Sequence, residues 1–221
     1  MIAQELISDR IPNLRTSDVG EKVMDWMDEF KVRQLPIVNN RQYLGMITED
    51  DVLEAESAEQ PVGNYRLTLP NTLYVHFKQH IYDVVKMMAA WHLDILPVVD
   101  DEMNYLGLIS HQDVIQHMAT VLGATEPGGI IILEIPHNSY SLSEIARIVE
   151  SNDAKALSVY LTSSPDAPAY FVTIKVNISE LTRLVNTFER FQYKIVMSFF
   201  DKSQLDDTQD RYNLLLRYLD L

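Results

Sequence analysis

Residues 43–52 read YLGMITEDDV and residues 105–114 read YLGLISHQDV, nearly the same phrase at an offset of 62. Just upstream, QLPIVN (34–39) matches ILPVVD (95–100) at an offset of 61, so the second copy carries one inserted residue. Further back, Val23, Met24, Trp26, Met27 and Phe30 match Val84, Val85, Met87, Met88 and Trp91. Those positions recur at the three-and-four spacing of an amphipathic helix, and the Met-rich VVKMMAAW is read as core. PIVNNRQYLGMI reads as two short apolar strands around a polar turn. A further helix opens at Thr48 or Ser110. Each unit is therefore helix–strand–strand–helix, too small to bury its own faces, and two copies stacked on each other bury them. AESAEQPVGNYR, polar with one proline and one glycine, is read as the connection between them. The units are placed at 1–60 and 61–125.

A chain of 221 residues has ample length for a core, and 47% hydrophobic with 23% charged residues is ordinary for a globular protein. No cysteine is present, which removes disulfides and thiolate chemistry and suits a reducing compartment. MIAQELISDR carries acid early and lacks a basic flank before an apolar stretch, so no signal peptide is expected. The apolar runs, such as GIIILEI, are too short to cross a bilayer. A cytoplasmic, soluble protein is expected. The net charge is −14, with 9 basic and 20 acidic residues up to Gly128, and 9 and 12 after it. Without a basic stripe such a surface repels phosphate backbones and anionic lipid, so neither nucleic acid nor membrane is an expected partner.

GATEPGG (123–129) separates a second part, in which IIILEI reads as a buried-type strand. SLSEIARIVESNDA reads as a helix with Leu142, Ile145, Ile148 and Val149 on one face, and ALSVYLT and AYFVTIKV as strands. SELTRLVNTFERF is a second helix and KIVMSFF a fourth strand. The order β-α-β-β-α-β over 129–202 is that of ferredoxin-like domains. A last amphipathic helix is expected over 205–221, with Leu214, Leu215, Tyr218 and Leu219 as its stripe. The overall class is α/β (α+β).

Thr48-Glu-Asp-Asp51 and Ser110-His-Gln-Asp113 each place a hydroxyl at a helix start and an acid three residues on, close to a capping box. The same groups can bond a ribose, and the free N–H groups beside them favour an anion. Gly45 and Gly107 sit three residues before each cap in a strand setting, where glycine often marks a close backbone approach. Capping and ligand contact both remain open on these residues alone.

LPIVNNRQYLGMITEDDV and LPVVDDEMNYLGLISHQDV resemble a tandem pair of CBS domains, whose pattern is an apolar-Pro-Val strand, a hairpin, then Gly, two apolar residues and Thr/Ser-x-x-Asp. The resemblance covers about residues 1–125 and implies two stacked units with a cleft for adenosine-type ligands: AMP, ATP or S-adenosylmethionine. It implies ligand contact by Thr48, Asp51, Ser110 and Asp113, room made by Gly45 and Gly107, and His111 nearby. Many nucleotide-binding copies carry a basic residue just before the motif Asp; here Asp50 and Gln112 stand there, leaving His111, Arg33 and Arg41 to compensate. Since Asp50 repels phosphate, an anionic nucleotide is expected in the cleft of Ser110 and Asp113. The second part resembles an ACT domain, but the family's Asp-x-Pro-Gly loop is replaced by residues including His137, Ser139 and Tyr140, and a tyrosine there crowds the amino-acid site. The domain order is similar to that of acetoin-utilisation accessory proteins.

His76 and His80 have a metal-pair spacing, yet the repeat places them across a strand and a turn, so no metal is expected. TEDDVLEAESAE reads as an acidic first turn and a solvated face. No nucleotide-binding glycine loop and no nucleophile with its base appears at recognisable spacing. The expectation is a regulatory, ligand-sensing homodimer and not an enzyme, with a structural dimerisation protein with empty clefts as the alternative.

Overall fold

The doubled phrase folds twice into a hairpin that runs into a helix. The computed structural model describes residues 1–55, 57–163 and 169–200. Strand β1 (Gln34–Asn39) pairs antiparallel with β2 (Gln42–Thr48), after α1 (Gly20–Phe30) and before the short α2 (Glu49–Leu53). In the second copy α3 (Ile81–Trp91) precedes β4 (Ile95–Val99), β5 (Tyr105–Ser110) and the longer α4 (His111–Val121). A two-residue strand β3 (Val75–His76) runs parallel to β4, and Leu14 makes the matching parallel bridge to Ile37. Both hairpins shift register at equivalent points, leaving Leu44 and Leu106 bulged and exposed. The inserted residue falls in the second turn, where the Asp100 carboxylate accepts the N–H groups of Glu102 (2.9 Å) and Asn104 (2.8 Å).

The chain divides into two compact units, Met1–His117 and Met118 onward, so the division falls inside α4, upstream of the glycine-rich GATEPGG. Within the first unit the copies face each other about a local two-fold. Tyr43 N–H donates to Met103 O (3.3 Å) and Tyr105 N–H to Arg41 O (2.7 Å), residues equivalent under the 62-residue offset. Arg33 and Asp94, equivalent under the offset of 61, meet as a two-pronged ion pair. Leu35, Ile37, Met46 and Ile47 of one copy and Ile95, Val98, Leu108 and Ile109 of the other are buried, which is the mutual covering that neither copy achieves alone.

Each copy is also covered by the segment that precedes the other. Ala3 N–H donates to Gln79 O (2.8 Å), Gln4 N–H to Phe77 O (3.0 Å) and Ser8 N–H to Leu108 O (2.9 Å), which ties the N-terminus to the second copy. Val62 N–H donates to Asp18 O (2.6 Å) and Gly63 N–H to Thr16 O (2.9 Å), which ties the connecting stretch to the first. That stretch buries Val62 and Tyr65 and is therefore more than a linker. On α3, Ile81, Val84 and Met88 face inward while Val85 and Trp91 are exposed, so VVKMMAAW is core on one side only.

The second unit holds a four-stranded antiparallel sheet of order β7-β8-β6-β9, from β6 (Ile130–Pro136), β7 (Ala156–Thr162), β8 (Ala169–Val176) and β9 (Lys194–Phe199). With α5 (Leu142–Glu150) and α6 (Thr182–Arg190) interposed, this is the ferredoxin-like order. Ile131, Leu133, Ile135, Val172 and Ile174 pack with Ile145, Ile148, Val149, Leu184 and Phe188. Leu142 is half-exposed and lies outside that stripe. β6 alternates between buried and half-buried and is not buried on both faces, because the two helices share one side of the sheet. The helix expected over 205–221 lies outside the described residues. No described helix is long and apolar enough to cross a membrane.

Candidate functional site

Both motifs cap a helix. Asp51 N–H donates to Thr48 Oγ1 (3.1 Å), and Thr48 N–H donates back to Asp51 Oδ2 (2.8 Å). In the second copy Asp113 N–H donates to Ser110 Oγ (3.2 Å), while Ser110 N–H (3.1 Å) and its hydroxyl (2.5 Å) donate to Asp113 Oδ2. The two copies part at the remaining carboxylate oxygen. Asp51 Oδ1 accepts the backbone N–H of Thr68 (3.0 Å), so this buried side chain is held entirely by main chain and its own cap. Asp113 Oδ1 instead accepts the guanidinium Nη2 of Arg10, whose side chain is 64% exposed.

The two glycines admit the covering segments. Gly107 has φ +142° and Gly45 φ +153°, conformations that side chains rarely adopt. A methyl on Gly107 would run into Ile7 Cγ2, and one on Gly45 would lie 3.0 Å from Leu67 Cδ1. The room expected for a ligand at these positions holds Ile7 and Leu67.

A cavity adjoins each motif. The one at Asp51, about 550 Å³, is lined by Asp51, Glu54 and Gln60 with Arg66 as its cation. The one at Ser110, about 230 Å³, is lined by Ser8, Arg10, Lys31, Ser110, His111 and Gln112, with Glu29 as its acid. Ser110 is buried within it, and Val32 brings in the first copy's end of α1. His111 is fixed at its edge: its N–H donates to Asp94 O (2.9 Å), and its ring Nδ1 lies 3.2 Å from the same oxygen. Both cations of the second cavity are already partnered, Lys31 with Asp28 (2.7 Å) and Arg10 with Asp113, and the first cavity is the larger.

Of the cations expected to stand in for a basic residue before the motif Asp, Arg33 is committed elsewhere. It holds Asp94 through Nε (3.0 Å) and Nη2 (2.9 Å). Burial pushes the Asp94 carboxyl up, but the Arg33 hydrogen bonds and charge outweigh it and hold the group below the usual carboxylate range. Arg41 sits in the hairpin turn with φ 70°. The cations at the second cavity are Arg10 and Lys31, which motif reasoning missed. Lys31 carries a left-handed helix cap (φ 55°) matched by His92 (φ 52°) in the other copy, a clue only once the repeat is aligned in space.

Elsewhere, His76 in β3 contacts Asp101 (2.7 Å), and His80 caps α3 by accepting the N–H of Tyr82 (3.3 Å). Among the described residues no group of three or more His, Asp or Glu is placed to hold a metal. In the second unit the loop after β6 is filled by rings: His137 stacks on Tyr170 (4.4 Å between centroids), and Tyr140 meets the same ring edge-on (6.0 Å).

The CBS-domain family model matches residues 8–58 and 65–120. An uncharacterised protein of Methanocaldococcus jannaschii, MJ0188, is 25% identical over 112 residues, 51% of this chain and 42% of that protein. A CBS domain pair/ACT domain protein from Thermotoga maritima superposes with TM-score 0.49 at 20% identity, over 53% of this chain and 96% of that one. A putative acetoin utilization protein (AcuB) from Vibrio cholerae does so with TM-score 0.47 at 19% identity, over 57% and 95%. The chain spans less than half the length of the curated relatives it matches.

Proposed function

We propose, since the CBS-domain family model matches residues 8–58 and 65–120, that the chain is a regulatory module that senses an adenosine-type nucleotide in the cavity beside Ser110 and Asp113. The observation that carries this reading is the exposed Arg10 guanidinium resting on the Asp113 carboxylate, with Lys31 lining the same cavity. A ribose presents hydroxyl donors to Asp113 and Ser110, and a phosphate presents the acceptor that Arg10 gives up its carboxylate to reach. The present cavity is smaller than a typical ligand pocket, and an outward swing of Arg10 enlarges it. His111 shapes the wall, and Gly107 admits Ile7 of the covering segment. Thr48, Asp51 and Gly45 hold structure in the first copy, where the Asp51 carboxylate accepts main-chain N–H groups and carries no displaceable cation.

Ligand changes the state of a protein only through differential affinity, and here the two states differ in where Arg10 sits. Arg10 belongs to the N-terminal segment that covers the second copy, so its release loosens or re-seats that segment. The ACT-like second unit, or a partner protein, reads the change; its ring-filled first loop argues against an amino-acid ligand there. A homodimer is the expected assembly. The alternative, a structural dimerisation protein with empty clefts, draws on Ile7 and Leu67 filling the glycine room.

The test is thermal shift and calorimetry with AMP, ATP, S-adenosylmethionine and NADH on wild type and Arg10→Ala. Ligand at 100 times its dissociation constant adds about 2.7 kcal/mol of stability, a visible shift. Binding by wild type that weakens roughly tenfold or more in Arg10→Ala supports the reading, since a charge-assisted hydrogen bond is lost. No shift with any of the four favours the structural alternative.

A further inference from the structure

The motif helices of the two copies differ in length as well as in partners. α2 stops after five residues, whereas α4 runs for 11, from His111 in the first unit to Val121 in the second. The copy whose aspartate holds Arg10 is therefore also the copy whose helix leads onward. α1 and α3 each bury three residues, but α4 buries none: Val114, His117 and Met118 are half-buried and Ile115 is 64% exposed. Both of its ends are fixed. At the start, Asp113 Oδ2 accepts the Ser110 N–H and hydroxyl while Oδ1 holds Arg10. At the finish, the last turn continues through Leu122, whose N–H donates to Met118 O (2.9 Å). Leu122 O accepts the Ser158 hydroxyl of β7 (2.8 Å), and a methyl on Gly123 would lie 3.1 Å from Leu157 Cβ. Between the ends lies His117, whose buried Nε2 has no hydrogen-bond partner among the described residues. A buried polar atom without a partner is costly, so a shift of α4 that gives it one offsets part of what the shift costs at the ends.

We propose that α4 transmits the state of the Asp113 cap: when Arg10 leaves the carboxylate, the helix re-seats and its last turn loosens its hold on β7. Main-chain hydrogen bonds tie each turn of a helix to the next, so a change at Asp113 reaches Leu122, roughly 14 Å along the axis, as the movement of one rod. The two seats that such a switch requires differ in Arg10 at one end and in the Ser158 hydrogen bond at the other. The first copy meets neither condition, because main chain holds Asp51 and α2 ends at Leu53. That a nucleotide displaces Arg10 rests on the reading above; the mechanical link through α4 does not.

The link is tested first without ligand, by hydrogen exchange and mass spectrometry on the full chain. Amides of 118–124 and 156–162 should exchange at least threefold faster in Arg10→Ala than in wild type, with those of 145–150 in α5 unchanged. No change in the first two segments overturns the proposal, and so does an equal rise in all three, which is general loosening. The second arm is calorimetry with AMP on wild type and Ser158→Ala. Coupling is reciprocal, and the Ser158 hydroxyl favours the unliganded seat. Its removal should therefore tighten AMP binding about two- to tenfold, the worth of one hydrogen bond. AMP bound equally or more weakly by the variant overturns the transmission and leaves the nucleotide reading standing. AMP bound by neither protein overturns the nucleotide reading, and the exchange comparison then decides the role of α4 by itself.

Discussion

Asp51 and Asp113 occupy the same place in two copies of one phrase and differ in two hydrogen bonds: Arg10 replaces the Thr68 N–H, and the Ser110 hydroxyl also donates to Asp113. With Thr68 N–H and the cap both on its carboxylate, Asp51→Ala should destabilise by about 1–3 kcal/mol, seen as a lower urea midpoint with the slope unchanged. Asp113→Ala removes one cap and the ion pair to the exposed Arg10 and should cost about 1 kcal/mol. It should instead weaken nucleotide binding, which calorimetry measures. Gly107→Ala combines an unfavourable φ with a clash against Ile7, for about 1–3 kcal/mol. In an Ile7→Ala background the clash part disappears and the backbone part stays, so a double-mutant cycle by urea denaturation should show a favourable coupling. The capping residues were visible in the sequence because a cap is a local pattern of four residues. Arg10 was not, because its partner lies 103 positions away and nothing in ISDRIPN marks it.

Among the elements, the β1–β2 and β4–β5 hairpins lie about an axis that the Arg33–Asp94 pair straddles. The folded Asp94 carboxyl is held below its ordinary value, so the pair contributes stability above the unfolded carboxylate value. That contribution fades as pH falls through the folded value. Replacing Arg33 with methionine should therefore narrow the difference in urea midpoint between pH 7 and pH 3, chiefly by lowering the neutral-pH value. The hairpins and the four strands of the second unit follow from alternating apolar residues and turn chemistry, which is why their order could be written from the sequence. Which strand face takes the helices could not, since Ile130 and Ile131 are the same residue type and only the placement of α5 and α6 distinguishes them.

For the molecule as a whole, light scattering at working concentration should return a dimeric mass, and a monomeric mass would contradict the assembly proposed above. The repeat announced two equivalent copies, but not that each is completed by the stretch in front of the other. That exchange sets an order of events during synthesis. Arg10 leaves the ribosome 103 residues ahead of Asp113. At about 5–20 residues per second, roughly 5–20 s pass before its partner exists. Arg10 is thus made well before the copy it covers, and the cavity it lines beside Ser110 is finished only after the second copy has emerged. A nascent chain halted before Ser110 can contain a complete first hairpin and still have no site.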